Sequence, residues 1–224
     1  MVDRAIILLS GGLDCTVALA WALNKRQNCF CLSFDYAQKH NIELEAAKKV
    51  CAYYGLKQQV IHIDPHCFAG SSLVERELEV PKGRSENDII SSGIQSTYVP
   101  ARNTLFMSYA MGYAEILNAK AIYVGFNKMD RGGYPDCLPA FVEAFQSVIN
   151  VATKQSVEST PPTIISPLLD LDKREIVALG IDLGAPLELT HSCYSPTSVG
   201  LPCSLCDACR LRDDAFAHAR KTMS

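Results

Sequence analysis

The strongest constraint on the fold is a rhythm. Short apolar runs at residues 4 to 9 (RAIILL), 29 to 34 (CFCLSF), 58 to 63 (QQVIHI) and 121 to 126 (AIYVGF) recur between longer stretches with helical spacing. Strands covered on both faces read as continuous apolar runs. Their alternation with helices therefore predicts an α/β fold, an open parallel sheet with helices on both faces, Rossmann-like in outline. Between the first two runs a helix is expected from about Asp14 to Lys25. Between the next two, Ile42, Ala46, Val50 and Tyr54 mark one face of another. Further helices are expected from Asn103 to Asn118 and from Asp136 to about Lys154, and Asp172 with Glu175 reads as a capping pair for a helix reaching about Gly184. Residues 69 to 97 break the rhythm: they are polar and turn-rich, which fits either a functional lid or a disordered surface loop.

With 224 residues and no convincing linker, the chain reads as one domain, 1–224, carrying a specialised segment at 191–215. A net charge of −3 provides no field for holding nucleic acid by counterion release, so no nucleic-acid partner is expected. No apolar stretch approaches the roughly 20 residues of a membrane span, and the amino terminus lacks the pattern of a secretory signal. The expectation is a cytoplasmic protein without a membrane partner. In a reducing compartment the ten cysteines stay free unless metal or catalysis uses them.

In open parallel sheets, ligands bind outside the carboxyl ends of the strands. The segments expected there are SGGLDCT after the first run, DYAQKH after the second, YVPARN before the third helix and NKMDRGGYPD after the fourth run. One site built from four loops is the economical expectation. In the first loop, Gly11 and Gly12 permit a close backbone approach, Ser10 adds a hydroxyl, and the helix that follows offers unpaired N–H groups. Such a loop binds phosphate, yet it matches neither G-x-x-x-x-G-K-[ST] nor G-x-G-x-x-G.

Four cysteines cluster near the carboxyl end. Cys193, Cys203, Cys206 and Cys209 follow the spacing C-x9-C-x2-C-x2-C, which suits four thiolates closing tetrahedrally around one structural Zn2+. His191, close to Cys193, is the alternative fourth ligand. Cys15, Cys29, Cys31, Cys51, Cys67 and Cys137 are scattered and read as core or isolated thiols. His62 and His66 flank Asp64 but find no further support as metal ligands.

The stretch Ser10-Gly11-Gly12-Leu13-Asp14 resembles the pyrophosphate loop of the PP-loop ATP pyrophosphatases, which have the adenine nucleotide alpha hydrolase-like fold, cleave ATP between the α- and β-phosphates and adenylate an oxygen atom. The resemblance implies ATP with Mg2+ as substrate, held by Leu9, Ser10, Gly11, Gly12, Leu13, Asp14, Cys15 and Thr16, with Asp35 at the end of the second strand lining the nucleotide pocket. Many members have Ser at the position of Cys15. A thiol is a weaker donor, so Cys15 also reads as a small buried residue at a helix start.

Within that superfamily the order of motifs is similar to the queuosine-pathway branch: SGGLD; Phe34-Asp35-Tyr36 with Gln38 and His40; Val99-Pro100-Ala101-Arg102-Asn103; Gly132-Gly133-Tyr134-Pro135-Asp136-Cys137; and His191-Ser192-Cys193-Tyr194 with the cysteine cluster and Leu211-Arg212. Ala101 and Ser204 stand where Gly is common in that branch. The branch implies a ligase that converts 7-carboxy-7-deazaguanine, ATP and ammonia into the nitrile through adenylated acid and amide, in a homodimer with one Zn2+ per chain. Asp14, Arg102 and His40 become the catalytic candidates: Asp14 for ATP and Mg2+, Arg102 for a carboxylate or phosphate or else a salt bridge of the fold, His40 as a proton shuttle or else a histidine bonded within its own turn. The substrate-binding candidates are Arg102, Asn103, Asp130, Tyr134 and Asp136. Asp130 and Asp136 read equally as acceptors for the ring N–H groups and as turn or helix caps. A PP-loop enzyme that thiolates tRNA directly is the competing reading, and a zinc-dependent binding module without catalysis the third.

Overall fold

The computed structural model describes residues 3–222 apart from residues 37, 65, 67, 69 and 76, and leaves the side chains of residues 90 and 222 undescribed. Cys67 thus lies outside the described residues. Five strands, β1 (Arg4–Leu8), β2 (Asn28–Asp35), β3 (Gln58–His62), β4 (Ala121–Tyr123) and β5 (Thr163–Ile165), form one sheet in the order β3-β2-β1-β4-β5. Every pairing is parallel. The helices are α1 (Leu13–Asn24), α2 (Ile42–Tyr53), α3 (Glu86–Ser91), α4 (Arg102–Leu117), α5 (Pro139–Ala152), α6 (Lys154–Glu158), α7 (Lys173–Asp182) and α8 (Asp207–Thr222).

The period of two along β1 sorts its side chains between two cores. Ile6 joins Leu32, Ile122 and Ile164 on the face covered by Met107 and Ala110 of α4 and by Phe145 and Ile149 of α5. Ala5 and Ile7 point the other way, into Leu19 and Ala22 of α1 and Ala47 and Val50 of α2. Cys29, Cys31 and Cys51 are buried in this second core and Cys137 in the first. A third cluster joins Val17 of α1 to Ile176 and Val177 of α7 and to Ala215 and Ala219 of α8. Among the described residues no helix is long and apolar enough to cross a membrane.

Three differences from the sequence expectations have local causes. The helix expected from Asp136 begins only at Pro139: Pro disfavours the helical conformation for Leu138, which is extended, and suits the first helical turn itself. It ends at Thr153, whose backbone is extended and whose side chain accepts from Ser156 N to start α6. The segment 70–97 is docked rather than loose. Ser85 and Asp88 form a capping box on α3, Gly83 N donates to Leu205 O at 2.9 Å, and Lys82 bridges Cys206. Residues 69 and 76 of that stretch lie outside the described residues. Helix α8 was not expected because its buried stripe is largely alanine.

Ala101 and Ser204, the two departures from the glycines of the resembling branch, both have left-handed backbones, with φ of 55° and 56°. A side chain there clashes with its own carbonyl, which costs roughly 1–2 kcal/mol. Ala101→Gly and Ser204→Gly are each expected to raise stability by about 1 kcal/mol net of the extra freedom glycine gives the unfolded chain, measurable as a higher midpoint of thermal or urea unfolding.

Candidate active site and metal centre

The strand order reverses beside β1, between β2 and β4, so a crevice opens outside the carboxyl ends of β1 and β4. The loop after β1 occupies it. Gly11 has φ of +87°, and a Cβ there would strike Glu43 O and stand 2.5 Å from Ala47 N, so glycine is what lets α2 pack on the loop. Gly125, after β4, approaches from the other side: a Cβ on it would lie 2.8 Å from Cys15 N. Gly12 is the N-cap of α1 and provides no side-chain cap, which leaves N–H groups of the first turn open to an anion. Ser10 Oγ accepts from Gly12 N at 3.2 Å. Cys15 Sγ lies 3.1 Å from Ser10 Oγ and donates to Gly12 O at 3.3 Å, while Thr16 Oγ1 donates to Gly12 O at 2.8 Å. These two side chains are spent on shaping the loop, and burial pushes the Cys15 thiol up.

A cavity of about 280 Å³ opens from this loop, and all four expected loops reach it. Leu9, Ser10, Gly12, Leu13, Asp14 and Cys15 come from the first, Tyr36 and Gln38 from the second, Arg102 and Asn103 from the start of α4, and Asp130 and Tyr134 from the turn after β4. One wall is aromatic. Phe34 and Phe106 stack with centroids 3.9 Å apart, and the Arg102 guanidinium lies 5.8 Å from the Tyr36 ring and 5.9 Å from that of Phe106. Burial opposes the charge of Arg102, but Tyr36 Oη, accepting from Nη1 at 3.2 Å, helps outweigh it. Arg102 Nε is buried without a partner among the described residues. Together these groups suit a flat heterocycle whose anionic substituent meets a guanidinium.

Charge beside the loop is organised by a residue that the sequence does not single out, Lys173. Lys173 Nζ donates to both carboxylate oxygens of Asp14 at 2.8 Å, and Asn127 Nδ2 donates to Asp14 Oδ2 at 3.3 Å. In the sequence Lys173 is hidden inside the capping pair: Asp172 and Glu175 do cap α7, and the first of the two residues between them reaches the cavity. Asp130 Oδ2 accepts from Asn127 N at 3.0 Å, and burial pushes its carboxyl up to about 6. Glu43 also lines the cavity, where loss of solvent raises its carboxyl to about 7 and Arg102 pulls the other way.

Other candidates are placed elsewhere. Asp136 is buried and its Oδ2 accepts from Asn103 N at 3.0 Å, capping α4 from outside, while Asn103 Nδ2 donates to Asp136 O at 3.3 Å. Asp35 Oδ2 lies 3.2 Å from His62 Nδ1, and neither residue lines the cavity. His40 is off the cavity wall as well, with Nε2 3.1 Å from Tyr194 O rather than bonded within its own turn. Tyr134 Oη and Thr97 Oγ1 are 2.5 Å apart, tying the cavity to segment 70–97.

Close to the cavity, the Sγ atoms of Cys193, Cys203, Cys206 and Cys209 all lie within 4.8 Å of one another. Backbone N–H groups already point at the sulfurs: Ser195 and Cys203 donate to Cys193 Sγ at 3.4 and 3.3 Å, Leu205 and Cys206 to Cys203 Sγ at 3.4 and 3.3 Å. Four converging thiols whose lone pairs are oriented by N–H donors fit a tetrahedral metal ion. His191 stands apart from this group: its backbone N donates to Gly11 O at 2.9 Å and it lines the cavity. Val80 packs on Cys193, Cys206 and Cys209, and Arg84 pairs with Asp207 at the start of α8. Arg212, one turn on, lines the cavity and donates to Leu187 O at 2.9 Å and Thr190 Oγ1 at 2.7 Å. The knuckle therefore fixes both α8 and segment 70–97 beside the cavity.

A family model described as queuosine biosynthesis protein QueC matches residues 4–220. A protein named 7-cyano-7-deazaguanine synthase from Desulfatibacillum aliphaticivorans is 48% identical over 219 residues, covering 97% of this chain and 93% of that protein. One of the same name from Saccharophagus degradans is 46% identical over 218 residues, 97% of this chain and 94% of that one. Among solved structures, an NMN synthetase from Francisella tularensis aligns with a TM-score of 0.50 at 16% identity, over 96% of this chain and 77% of that one, which is a likeness of fold. Matched over nearly its whole length by both the family model and these relatives, the chain belongs to the queuosine biosynthesis protein QueC family.

Proposed function

We propose that the protein is a carbon–nitrogen ligase that converts 7-carboxy-7-deazaguanine and ammonia to 7-cyano-7-deazaguanine at the expense of ATP, adenylating first the acid and then the amide in the same cavity. The observation that carries the reading is the meeting, in one cavity of a chain of this family, of an open phosphate loop and a half-buried guanidinium set against aromatic rings. A carboxylate is inert to ammonia because its leaving group would be oxide, and adenylation replaces that group with AMP. The carboxylate oxygen attacks the α-phosphorus and releases pyrophosphate, ammonia displaces AMP to give the amide, and a second adenylation on the amide oxygen lets AMP leave again as the nitrile forms. The protein's part is positioning and charge stabilisation.

In this reading Ser10, Gly11, Gly12 and the first turn of α1 hold the departing pyrophosphate, with Lys173 as its cation. Asp14 supplies oxygen ligands that suit Mg2+ entering with ATP. Arg102 takes the substrate carboxylate, the ring lies along Phe34, Tyr36 and Phe106, and Asp130 accepts from ring N–H groups. Asn103 and Asp136 set the start of α4 and so the place of Arg102, and His40 holds the segment of Tyr194. Zn2+ occupies the four cysteines as a structural ion, because a filled set of four thiolates leaves no position for substrate. The whole chain acts as one cytoplasmic domain with 191–215 as its zinc-binding segment. It pairs as a homodimer, for which the exposed Ile116, Val151 and Val157 at the neighbouring ends of α4, α5 and α6 are the supporting surface. Direct sulfur transfer to RNA is disfavoured because the cavity's thiols, Cys15 and Cys137, are both raised by burial, away from the thiolate such chemistry needs.

Incubation with 7-carboxy-7-deazaguanine, ATP, Mg2+ and an ammonium salt, followed by mass spectrometry, tests the reading. Nitrile formation supports it. Absence of both nitrile and AMP, with zinc bound and the fold intact, refutes it.

A further inference from the structure

Glu43 lines the cavity, yet among the described residues its carboxylate has neither a hydrogen bond nor an ion pair, the electrostatic influence on it coming from Arg102. Its position is not free. Its own carbonyl packs on Gly11, where any Cβ would strike it, so the side chain is held beside the phosphate loop. The other cavity carboxylates are engaged: Asp14 by Lys173 and Asn127, Asp130 by Asn127 N, and Asp207 by Arg84. Half-buried and lining the cavity, the Glu43 carboxyl has its acceptor positions open to a ligand donor.

Given the reading of the site proposed above, the reaction has a proton problem that no residue assigned so far solves. When ammonia's lone pair forms the C–N bond and the C–O bond to AMP breaks with its electron pair, the nitrogen is left with one proton too many. In the second round the O-adenylated amide first loses one N–H proton to become a neutral imidate. It then loses the other as that N–H pair becomes the third C–N bond and expels AMP. We infer that Glu43 is the catalytic base that accepts these protons, and that its carboxylate marks the place where ammonia or ammonium enters the cavity. The location suits the chemistry, because the reacting carbon, bonded through oxygen to the α-phosphorus, must sit between the phosphate loop and Arg102. A carboxyl held near neutrality by burial takes a proton there and returns it to water between rounds.

The test compares amines. With ammonium, Glu43→Gln is expected to lower kcat by about 10²–10⁴-fold at saturating ATP and 7-carboxy-7-deazaguanine. Hydroxylamine is neutral at assay pH, and its adduct sheds its proton to water readily, so it is expected to recover most of the first-round rate, read as hydroxamate. Exchange of labelled pyrophosphate into ATP, run alongside, reports adenylation and the fold. A variant that loses exchange, that is not rescued by hydroxylamine, or whose defect lies in KM for the deazaguanine overturns the assignment in favour of a structural or ring-binding Glu43. If the wild-type protein itself shows no carboxylate-dependent exchange, the proposed function fails, and it is distinguished in that way from a failure of this assignment alone.

Discussion

Stripping the metal with a chelator, or replacing Cys206 with Ala, is expected to unfold the carboxyl-terminal part of the chain and with it segment 70–97. The four-cysteine group has little apolar company: Val80, Tyr194 and Ala208 are its packing partners. Two elements depend on it. Helix α8 starts at Asp207 between two of the ligands, and segment 70–97 reaches it through Lys82, Gly83 and Arg84. Coordination by four thiolates is worth on the order of 10 kcal/mol of local folding free energy, comparable to the stability of a whole domain. Chelation should therefore lower the thermal midpoint by roughly 10 °C or more, reduce helical circular dichroism and open the last 30 or so residues and the 70–97 segment to protease. Cys29→Ala, which removes a buried thiol outside the cluster, is expected to cost about 1–2 kcal/mol and to leave metal content intact. An unchanged midpoint after complete removal of the metal would contradict a structural centre.

Replacement of Arg102 by Lys is expected to lower kcat/KM by about 10²–10³-fold while leaving the circular dichroism spectrum and the thermal midpoint nearly unchanged. The charge is kept and the planar fork is lost. The alternative reading of Arg102, a salt bridge that holds the fold, meets no ion pair among the described residues: Glu43 and Asp136 act on it only through space, its hydrogen bond goes to Tyr36 Oη, and its Nε is buried and unpaired. A guanidinium lying against both Tyr36 and Phe106 with donors to spare can offer them to a ligand anion. The check is steady-state kinetics with carboxylate and amide substrates in parallel. The acid should suffer more than the amide, because only the acid presents a carboxylate to the fork. A midpoint lowered by many degrees with proportionate loss on both substrates would return Arg102 to a structural role.

The sheet was legible because its strands are buried, and burial leaves apolar runs. β1, β2 and β4 are nearly continuous in Ile, Leu, Cys and aromatic residues, and the edge strand β3 still shows Val60 and Ile61. β5 was not read, since Thr163, Ile164 and Ile165 are too few to show a period. The phosphate loop was legible for a different reason: Gly11 and Gly12 stand where close approach forbids a side chain or leaves a helix uncapped, and glycine pairs after an apolar run are conspicuous. Lys173 and Glu43 were not legible. Each sits in an ordinary helix start, and what singles it out is tertiary: Lys173 because α7 packs on α1, Glu43 because α2 packs on the loop. Asp136 shows the converse. Its motif allowed two readings, ring acceptor and helix cap, and only the fold shows its Oδ2 turned to the N-terminus of α4.

The central claim, two adenylations on one substrate at one site, is tested most directly by following oxygen. With 7-carboxy-7-deazaguanine carrying 18O in both carboxylate oxygens, each turnover to nitrile should release two AMP, each bearing one labelled oxygen, with none in pyrophosphate and none in water. A single labelled AMP per product, or label lost to solvent, would mean that one carboxylate oxygen leaves without passing through an adenylate and would contradict the account.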